Sequence, residues 1–231
     1  ASLQILTFCV LCRYDALCGP GHKEGGGFHA ALPPAVFSAA AEAAGSAGIE
    51  SFASPLLFRG KGWRYCSLFG DIDVFFGSLG SFLGEGLRPE ALGGTFEVNP
   101  PFLPGLVTRL VEKLLLALER AEAAGTPLRF LVVLPMPPLP AAAPGHGKEG
   151  PARAPDARDR LAASPFMAAA LQRRRRDFAY GLSFKTDHPW PVFAVNAQVL
   201  VLQTRFADFP AAELLQRVCE AWGDPSEEVG G

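Results

Sequence analysis

The tetrapeptide Asn99-Pro100-Pro101-Phe102 is the segment of this sequence whose residue types point most directly to chemistry. The Asn side-chain oxygen and the carbonyl oxygen of the first proline are acceptors, and together they can bind both hydrogens of an exocyclic amine. Two consecutive prolines fix the backbone, so these acceptors are positioned before the amine arrives. The aromatic ring can stack on the base that carries the amine. The motif therefore predicts N-methylation of an amine, with S-adenosylmethionine as the methyl donor.

The surroundings of this motif decide how much weight it carries, because double prolines also occur in ordinary loops of a chain with 21 prolines. A strand-like run at residues 95–98 precedes the motif, and a helical pattern begins near Leu103. A continuous apolar run at residues 128–134 predicts a further strand covered on both faces. This strand–turn–helix–strand order is typical of a ligand site at the carboxyl edge of an α/β sheet.

The composition limits the class of protein. The 231 residues carry a net charge of −2 and a pI of about 6.1, so any contact with nucleic acid must be local. No run reaches the roughly 18 apolar residues of a membrane helix. Five cysteines without a disulfide-like spacing favour a reducing compartment. Cys9-x-x-Cys12 with Cys18 could suggest zinc, but buried structural cysteines are the stronger interpretation, and we predict no metal.

The order of apolar patterns predicts an α/β fold. Residues 1–48 form a helical lead-in, residues 49–222 a core with a disordered insertion at 136–163, and residues 223–231 an acidic tail. Helices are predicted at residues 2–18 (or a strand there), 35–45, 103–125, 168–176 and 211–222. Strands are predicted at residues 49–53, 95–98, 128–134, 178–184 and 192–203. The chain begins with Ala rather than Met, as an excerpt of a longer protein would.

A second set of short motifs recurs in a fixed order around the tetrapeptide. They are Arg13-Tyr14 with Leu17, Phe52-Ala53-Ser54-Pro55-Leu56, Tyr65-Cys66-Ser67, Phe76-Gly77-Ser78 with Gly80, Phe96-Glu97, residues 130–135 and residues 194–203. With these pieces in order, the chain resembles the catalytic domain of the phosphorylated CTD-interacting factor family. That family comprises cap-specific adenosine N6-methyltransferases, which also carry a WW domain.

The resemblance implies a Rossmann-like, S-adenosylmethionine-dependent methyltransferase with a central, mostly parallel sheet flanked by helices. The implied substrate is the 2′-O-methyladenosine that begins capped mRNA, and the implied compartment is the nucleus. The phosphorylated C-terminal domain of RNA polymerase II is an implied partner, through segments outside these 231 residues, and no membrane is implied.

The resemblance assigns roles to the motif residues, and charge suggests roles for Asp73 and for the arginine run. The catalytic residues are Asn99, Pro100, Pro101 and Phe102. The cofactor-binding residues are Phe52, Ala53, Ser54, Pro55, Asp73, Phe76, Gly77 and Asn99. The substrate-binding residues are Pro104, Arg173, Arg174, Arg175 and Arg176. Two of these assignments keep an alternative: Asp73 also fits a plain acidic turn, and the arginine run also fits a solvated helix face or a basic linker.

Two departures from the family pattern stand out. Leu57 occupies the place of a family Asn, and residues 136–140 replace a loop that contains Trp and Arg. Competing functions are therefore guanine N2 methylation or protein glutamine methylation, which use a similar turn. A third possibility is a catalytically silent binding module recruited to transcribing polymerase.

Overall fold

The protein is described from a computed structural model. The described residues are 2–18, 30–58, 60, 62–101, 103–135, 157–173, 181–182 and 196–222. The helices are α1 (Leu3–Cys18), α2 (Pro34–Ala44), α3 (Gly70–Asp73), α4 (Pro89–Leu92), α5 (Pro104–Ala124), α6 (Ala157–Ala162) and α7 (Ala211–Ala221). The strands are β1 (Ala30–Ala31), β2 (Ile49–Ala53), β3 (Arg64–Ser67), β4 (Gly94–Val98), β5 (Leu128–Pro135), β6 (Met167–Arg173), β7 (Gly181–Leu182) and β8 (Ala197–Gln203).

A six-stranded sheet in the order β3-β2-β4-β5-β8-β6 forms the centre of the fold. Strand β2 pairs in parallel with β3 and β4, and β4 pairs in parallel with β5. Strand β8 is antiparallel to both β5 and β6. The sheet is therefore mixed, with its parallel part at one side, and the predicted α/β class is confirmed. Strands β1 and β7 pair separately as a short antiparallel ribbon.

Helices cover both faces of this sheet, because β5 is apolar on both sides. Phe130 and Val132 belong to the core under α5, together with Leu110 and Leu114 of that helix. Alternate residues of β5 face the core that α2 and α7 cover; they are Leu131 and Val133. Successive side chains of a strand point to opposite faces, so one apolar run supplies both cores. The molecule is thus a three-layer sandwich.

The long helix α5 has clear sequence signals at both ends. Pro104 occupies its first turn, where a missing N–H costs nothing. Gly125 ends the helix in the left-handed conformation, with φ of 71°. Leu110, Leu114 and Leu118 repeat at the helical period and are fully buried. The helix is thus fixed against the sheet directly after the tetrapeptide.

The sequence-based predictions differ from the structure at three elements. Residues 168–176 were expected to form a helix, but Met167–Arg173 is the edge strand β6, because its backbone pairs with β8. Strand β3 lies between residues 54 and 94, where the sequence predicted neither a helix nor a strand. Helix α6 occupies the end of the predicted disordered insertion, whose residues 136–156 lie outside the described part of the chain.

Arg173 joins β6 to the end of α7. Its Nη1 donates to the carbonyl oxygen of Cys219 at 3.1 Å, and its Nη2 donates to that of Trp222 at 2.8 Å. Carbonyl groups at a helix C-terminus lack helical partners, and a cation there is favourable. Arg173 therefore caps α7.

We expect Arg173→Met to lower the free energy of unfolding by about 2 kcal/mol, because two charged hydrogen bonds to the end of α7 are lost. The matched control is Arg217→Met, which removes an exposed ion pair with Glu213 and should cost less than about 0.5 kcal/mol. Urea denaturation of both variants measures the difference. Equal stabilities would contradict the capping role.

Candidate active site

Strand β2 has its two successors in the chain on opposite sides, so the strand order reverses there. From β2 the chain moves outward to β3, and then crosses to β4 on the other side of β2. Because these three strands are parallel, their carboxyl ends meet at one edge of the sheet. In open α/β sheets, ligands bind in the crevice outside such a reversal. The topology therefore marks the edge at Ala53, Ser67 and Val98 as the candidate site.

A cavity of about 200 Å³ lies at this edge. Most of its wall is apolar, with hydroxyl groups from a few serines and one tyrosine. Its lining residues are Tyr14, Leu17, Ser51, Phe52, Ala53, Ser54, Leu57, Ser67, Leu68, Ser81, Phe82, Leu83, Pro101, Leu103 and Leu106. Ser51 is 1% exposed, and its Oγ has no partner among the described residues. Such a pocket suits a largely apolar molecule with a few polar groups.

The Asn-Pro-Pro turn follows β4 directly and reaches the cavity through Pro101. Pro100 is buried, whereas Asn99 and Pro101 are half-buried. The amide of Leu103 donates to the carbonyl oxygen of Pro101 at 2.7 Å, which turns the chain into α5. The structure thus places the motif at the predicted edge of the sheet. Phe102 lies outside the described residues, as does the side chain of Pro104.

The predicted cofactor-binding residues divide into two groups. Phe52, Ala53 and Ser54 line the cavity with Pro101, as the strand order predicted, and Pro55 follows them in the adjoining turn. The second group lies in and after α3, outside the cavity wall; it comprises Asp73, Phe76 and Gly77. The carbonyl oxygen of Phe76 accepts a bond from Tyr65 Oη at 2.7 Å. Cofactor binding stays a prediction for the residues of both groups.

Asp73 is fully buried and accepts a hydrogen bond from Tyr14 Oη at 2.6 Å through its Oδ2. Its other oxygen, Oδ1, has no partner among the described residues. Tyr14, on α1, lines the cavity, so Asp73 lies directly behind the cavity wall. The sequence did not single out Tyr14, Ser67 or residues 81–83 as site residues, because nothing local shows that a helix and a loop far apart in the chain meet at this edge.

Of the predicted substrate-binding arginines, Arg173 is the one that the structure describes. Its guanidinium is bonded to the end of α7 rather than directed at the cavity. Arg174, Arg175 and Arg176 lie outside the described residues, so their binding of phosphates stays a prediction.

Two glutamates lie side by side on the strands that carry the site. Glu50 of β2 pairs in register with Glu97 of β4, and they are 4% and 2% exposed. Glu50 Oε2 and Glu97 Oε1 have no hydrogen-bond partner in the described part of the chain. Burial raises the pKa of Glu50 to about 8. Burial, together with the charge of Glu50, raises the pKa of Glu97 well above its ordinary value. The pair therefore keeps at least one proton at neutral pH.

Among the described residues, no group of three or more His, Cys, Asp or Glu side chains lies close enough together to hold a metal ion. None of the described helices has the length and apolarity that crossing a membrane requires. The prediction of buried cysteines on the first helix is wrong for Cys12, which is exposed, and Cys9 is only half-buried. The side chain of Cys18 lies outside the described residues.

The fold places this chain in the α/β class, with a cavity at the carboxyl edge of a partly parallel sheet. A family model described as "Phosphorylated CTD interacting factor 1 WW domain" matches residues 1–143. These residues include the whole Asn-Pro-Pro-Phe motif and the strands β2, β3, β4 and β5. The chain belongs to the phosphorylated CTD-interacting factor family, which confirms the resemblance found in the sequence.

Two curated relatives carry the same name, mRNA (2'-O-methyladenosine-N(6)-)-methyltransferase. The protein from Mus musculus is 41% identical over 143 residues, and the protein from Homo sapiens is 40% identical over 143 residues. Each alignment covers 58% of this chain and 18% of the relative. The matched part is therefore a small fraction of either relative.

The glutamate pair predicts a pH dependence of stability. The pKa of Glu50 is higher in the folded chain, at about 8, than its ordinary value of 4.5. The unfolded chain therefore releases protons that the folded chain keeps, and stability falls as the pH rises from 4.5 through about 8. We expect Glu50→Gln to flatten this fall, because a neutral amide replaces the titrating group.

Chemical denaturation at pH values between about 5 and 8 measures this profile, and a shift of one pKa unit corresponds to about 1.4 kcal/mol. Glu119→Gln, which removes an exposed carboxylate from α5, is the control and should retain the wild-type slope. A wild-type slope in Glu50→Gln as well would show that the pair does not titrate as described.

Proposed function

We propose that this chain is the S-adenosylmethionine-dependent methyltransferase region of an RNA adenine N6-methyltransferase. The observation that supports it most is the meeting of Pro101, from the Asn-Pro-Pro-Phe motif, with Phe52 and Ser54 at one cavity. These residues come from two neighbouring parallel strands, and each strand carries a family motif. The cavity therefore offers one place where a methyl donor and an amine can meet.

We further propose that the fold is Rossmann-like. Its support is the reversal of strand order between β2 and β4, the parallel pairing on both sides of β2, and helices on both faces. Those are the features that place nucleotide ligands at the carboxyl ends of strands in doubly wound sheets.

The residues around the cavity fit the methyl donor chemically. Apolar side chains such as Phe52 and Leu106 suit the adenine ring and the carbon chain of the donor. Ser51 Oγ lines the cavity and is a buried acceptor without a partner among the described residues, which suits a hydroxyl or ammonium group. When bound, S-adenosylmethionine supplies an activated methyl group on a sulfonium that leaves readily.

The chain's own contribution is the positioning of the amine. The Asn99 side-chain oxygen and the Pro100 carbonyl oxygen accept the two N–H groups of the base, and the nitrogen lone pair then points away from the turn. Positive charge develops on this nitrogen as it forms the new bond, and both acceptors stabilise that charge. The buried Pro100 and the helix α5 hold the turn in place, so little ordering is needed when substrate binds.

The names of the relatives guide the choice of substrate. Both are named for N6-methylation of 2′-O-methyladenosine in mRNA. We therefore propose the cap-adjacent 2′-O-methyladenosine of nuclear mRNA as the substrate. Recruitment to the phosphorylated C-terminal domain of RNA polymerase II would use segments outside this chain.

Asn99→Ala should lower the turnover number by about 100-fold while changing the donor dissociation constant by less than about twofold, because it removes an acceptor for the developing charge. Turnover is measured by mass spectrometry of a capped RNA that begins with 2′-O-methyladenosine. Donor binding is measured by calorimetry. Gln216→Ala, which removes an exposed carboxamide from α7, is the control and should behave as the wild type.

Wild-type turnover in Asn99→Ala would contradict the role of the motif. A methylated guanine or a methylated glutamine peptide as the product would replace the substrate assignment but keep the enzyme class. A folded wild type without affinity for the donor would contradict the enzyme class and favour a binding module.

A further inference from the structure

Polar side chains of helix α1 contact the turn of the chain that follows β3. Arg13 forms a two-pronged ion pair with Asp71, with N–O distances of 2.6 and 2.8 Å. Tyr14 bonds to Asp73 two residues later, and its ring meets the edge of Phe69 at 5.2 Å between centroids. All three partners lie in or beside α3, which directly follows β3. The helix is thus held against the carboxyl edge of the sheet.

A network of hydrogen bonds joins this attachment to the Phe-Gly-Ser loop. Tyr14 Oη donates to Asp73 Oδ2, and the carbonyl oxygen of Asp73 accepts from the amide of Ser78 at 3.2 Å. The Ser78 hydroxyl shares a bond of 2.7 Å with the Ser67 hydroxyl, which lines the same cavity as Tyr14. Ser78 Oγ also accepts from the amide of Gly80 at 3.1 Å. Such a buried network restricts the orientation of its groups.

This hydrogen-bond network connects the loop at Phe76-Gly77-Ser78 to the cavity wall. Tyr14 and Ser67 line the cavity, whereas Ser78 and Asp73 stand behind them. Burial and the hydrogen bond to Asp73 raise the pKa of Tyr14. Tyr14 therefore stays neutral and does not act as a base. Its ring forms part of the cavity surface, and its hydroxyl is held by Asp73.

We propose that α1 forms one wall of the methyl-donor site and that Tyr14 is its positioning residue. The hydrogen-bond network from Gly80 to Asp73 orients Tyr14. The proposal rests on the proposed function, because it assigns the donor to this cavity. It gives the Phe-Gly-Ser loop a supporting role: its Ser78 holds Ser67 and Asp73 in place, and Ser67 and Tyr14 contact the ligand. The ligand part that meets Tyr14 is the nucleoside, whose flat base suits an aromatic wall.

Calorimetric titration of the chain with S-adenosylmethionine tests this role. Tyr14→Phe keeps the ring but removes the bond to Asp73, and it should weaken donor binding about tenfold. Turnover at saturating donor should stay within about twofold of the wild type, because the amine is held elsewhere. The matched control is Tyr65→Phe. It also removes a buried tyrosine hydroxyl, but Tyr65 bonds to the carbonyl of Phe76 and does not line the cavity.

A second variant separates positioning from general destabilisation. Ser78→Ala removes a hydroxyl of the hydrogen-bond network that does not line the cavity, and it should also weaken donor binding. Combined with Tyr14→Phe, it should add little further loss of donor affinity, because both substitutions act through the same network. Thermal melting of each variant reports its stability.

The outcomes are distinguishable. Weaker donor binding in Tyr14→Phe and Ser78→Ala, with wild-type affinity in Tyr65→Phe, supports the proposal. Wild-type affinity in Tyr14→Phe overturns it and leaves the proposed function intact, as does equal weakening in Tyr65→Phe. Absence of donor binding by the folded wild type overturns the proposed function, and this inference with it.

Discussion

The parallel pairing of β2 with both β3 and β4 is the constraint on which the rest of the structure depends. It brings the carboxyl ends of three strands to one edge and leaves a crevice where the strand order reverses. Three parts of the candidate site lie at this edge. Ser54 directly follows β2, Ser67 is the last residue of β3, and the proline turn follows β4. Helix α5 then fixes that turn, because its leucines are buried against the sheet directly after it.

Strands β2 and β4, which carry the candidate site, also carry two residues that lower the stability of the fold. Glu50 and Glu97 occupy positions where apolar residues would pack better, and burying them in register has a free-energy cost. The surrounding apolar core offsets that cost: Phe82 contacts the rings of Phe52, Phe96 and Phe130 beside the cavity. Natural sequences depart from the local preferences that favour their fold mainly at functional sites. The glutamate pair is such a break, and its Glu97 lies two residues before Asn99.

Local patterns in the sequence were enough to predict the elements that frame the site. Strand β2 and helix α5 have strong apolar periodicity and clear end signals, and the structure confirms both. Strand β6 was predicted as a helix, because alanine favours helices and the pairing with β8 that overrides this preference is not local. The glutamate pair and the contact of Tyr14 with Asp73 depend on register and on distant packing. A single sequence contains no direct record of either.

The attachment of α1 has a consequence for how the cavity opens. Detaching this helix breaks a few polar contacts to α3 but no strand pairing, so it requires less free energy than unfolding the sheet. Such local opening removes one wall while β2 and β4 stay paired. The contacts between α1 and α3 therefore set how readily this wall of the cavity is exposed to solvent, whereas the wall formed by Phe52 and Ala53 depends on the pairing of β2 with its neighbours.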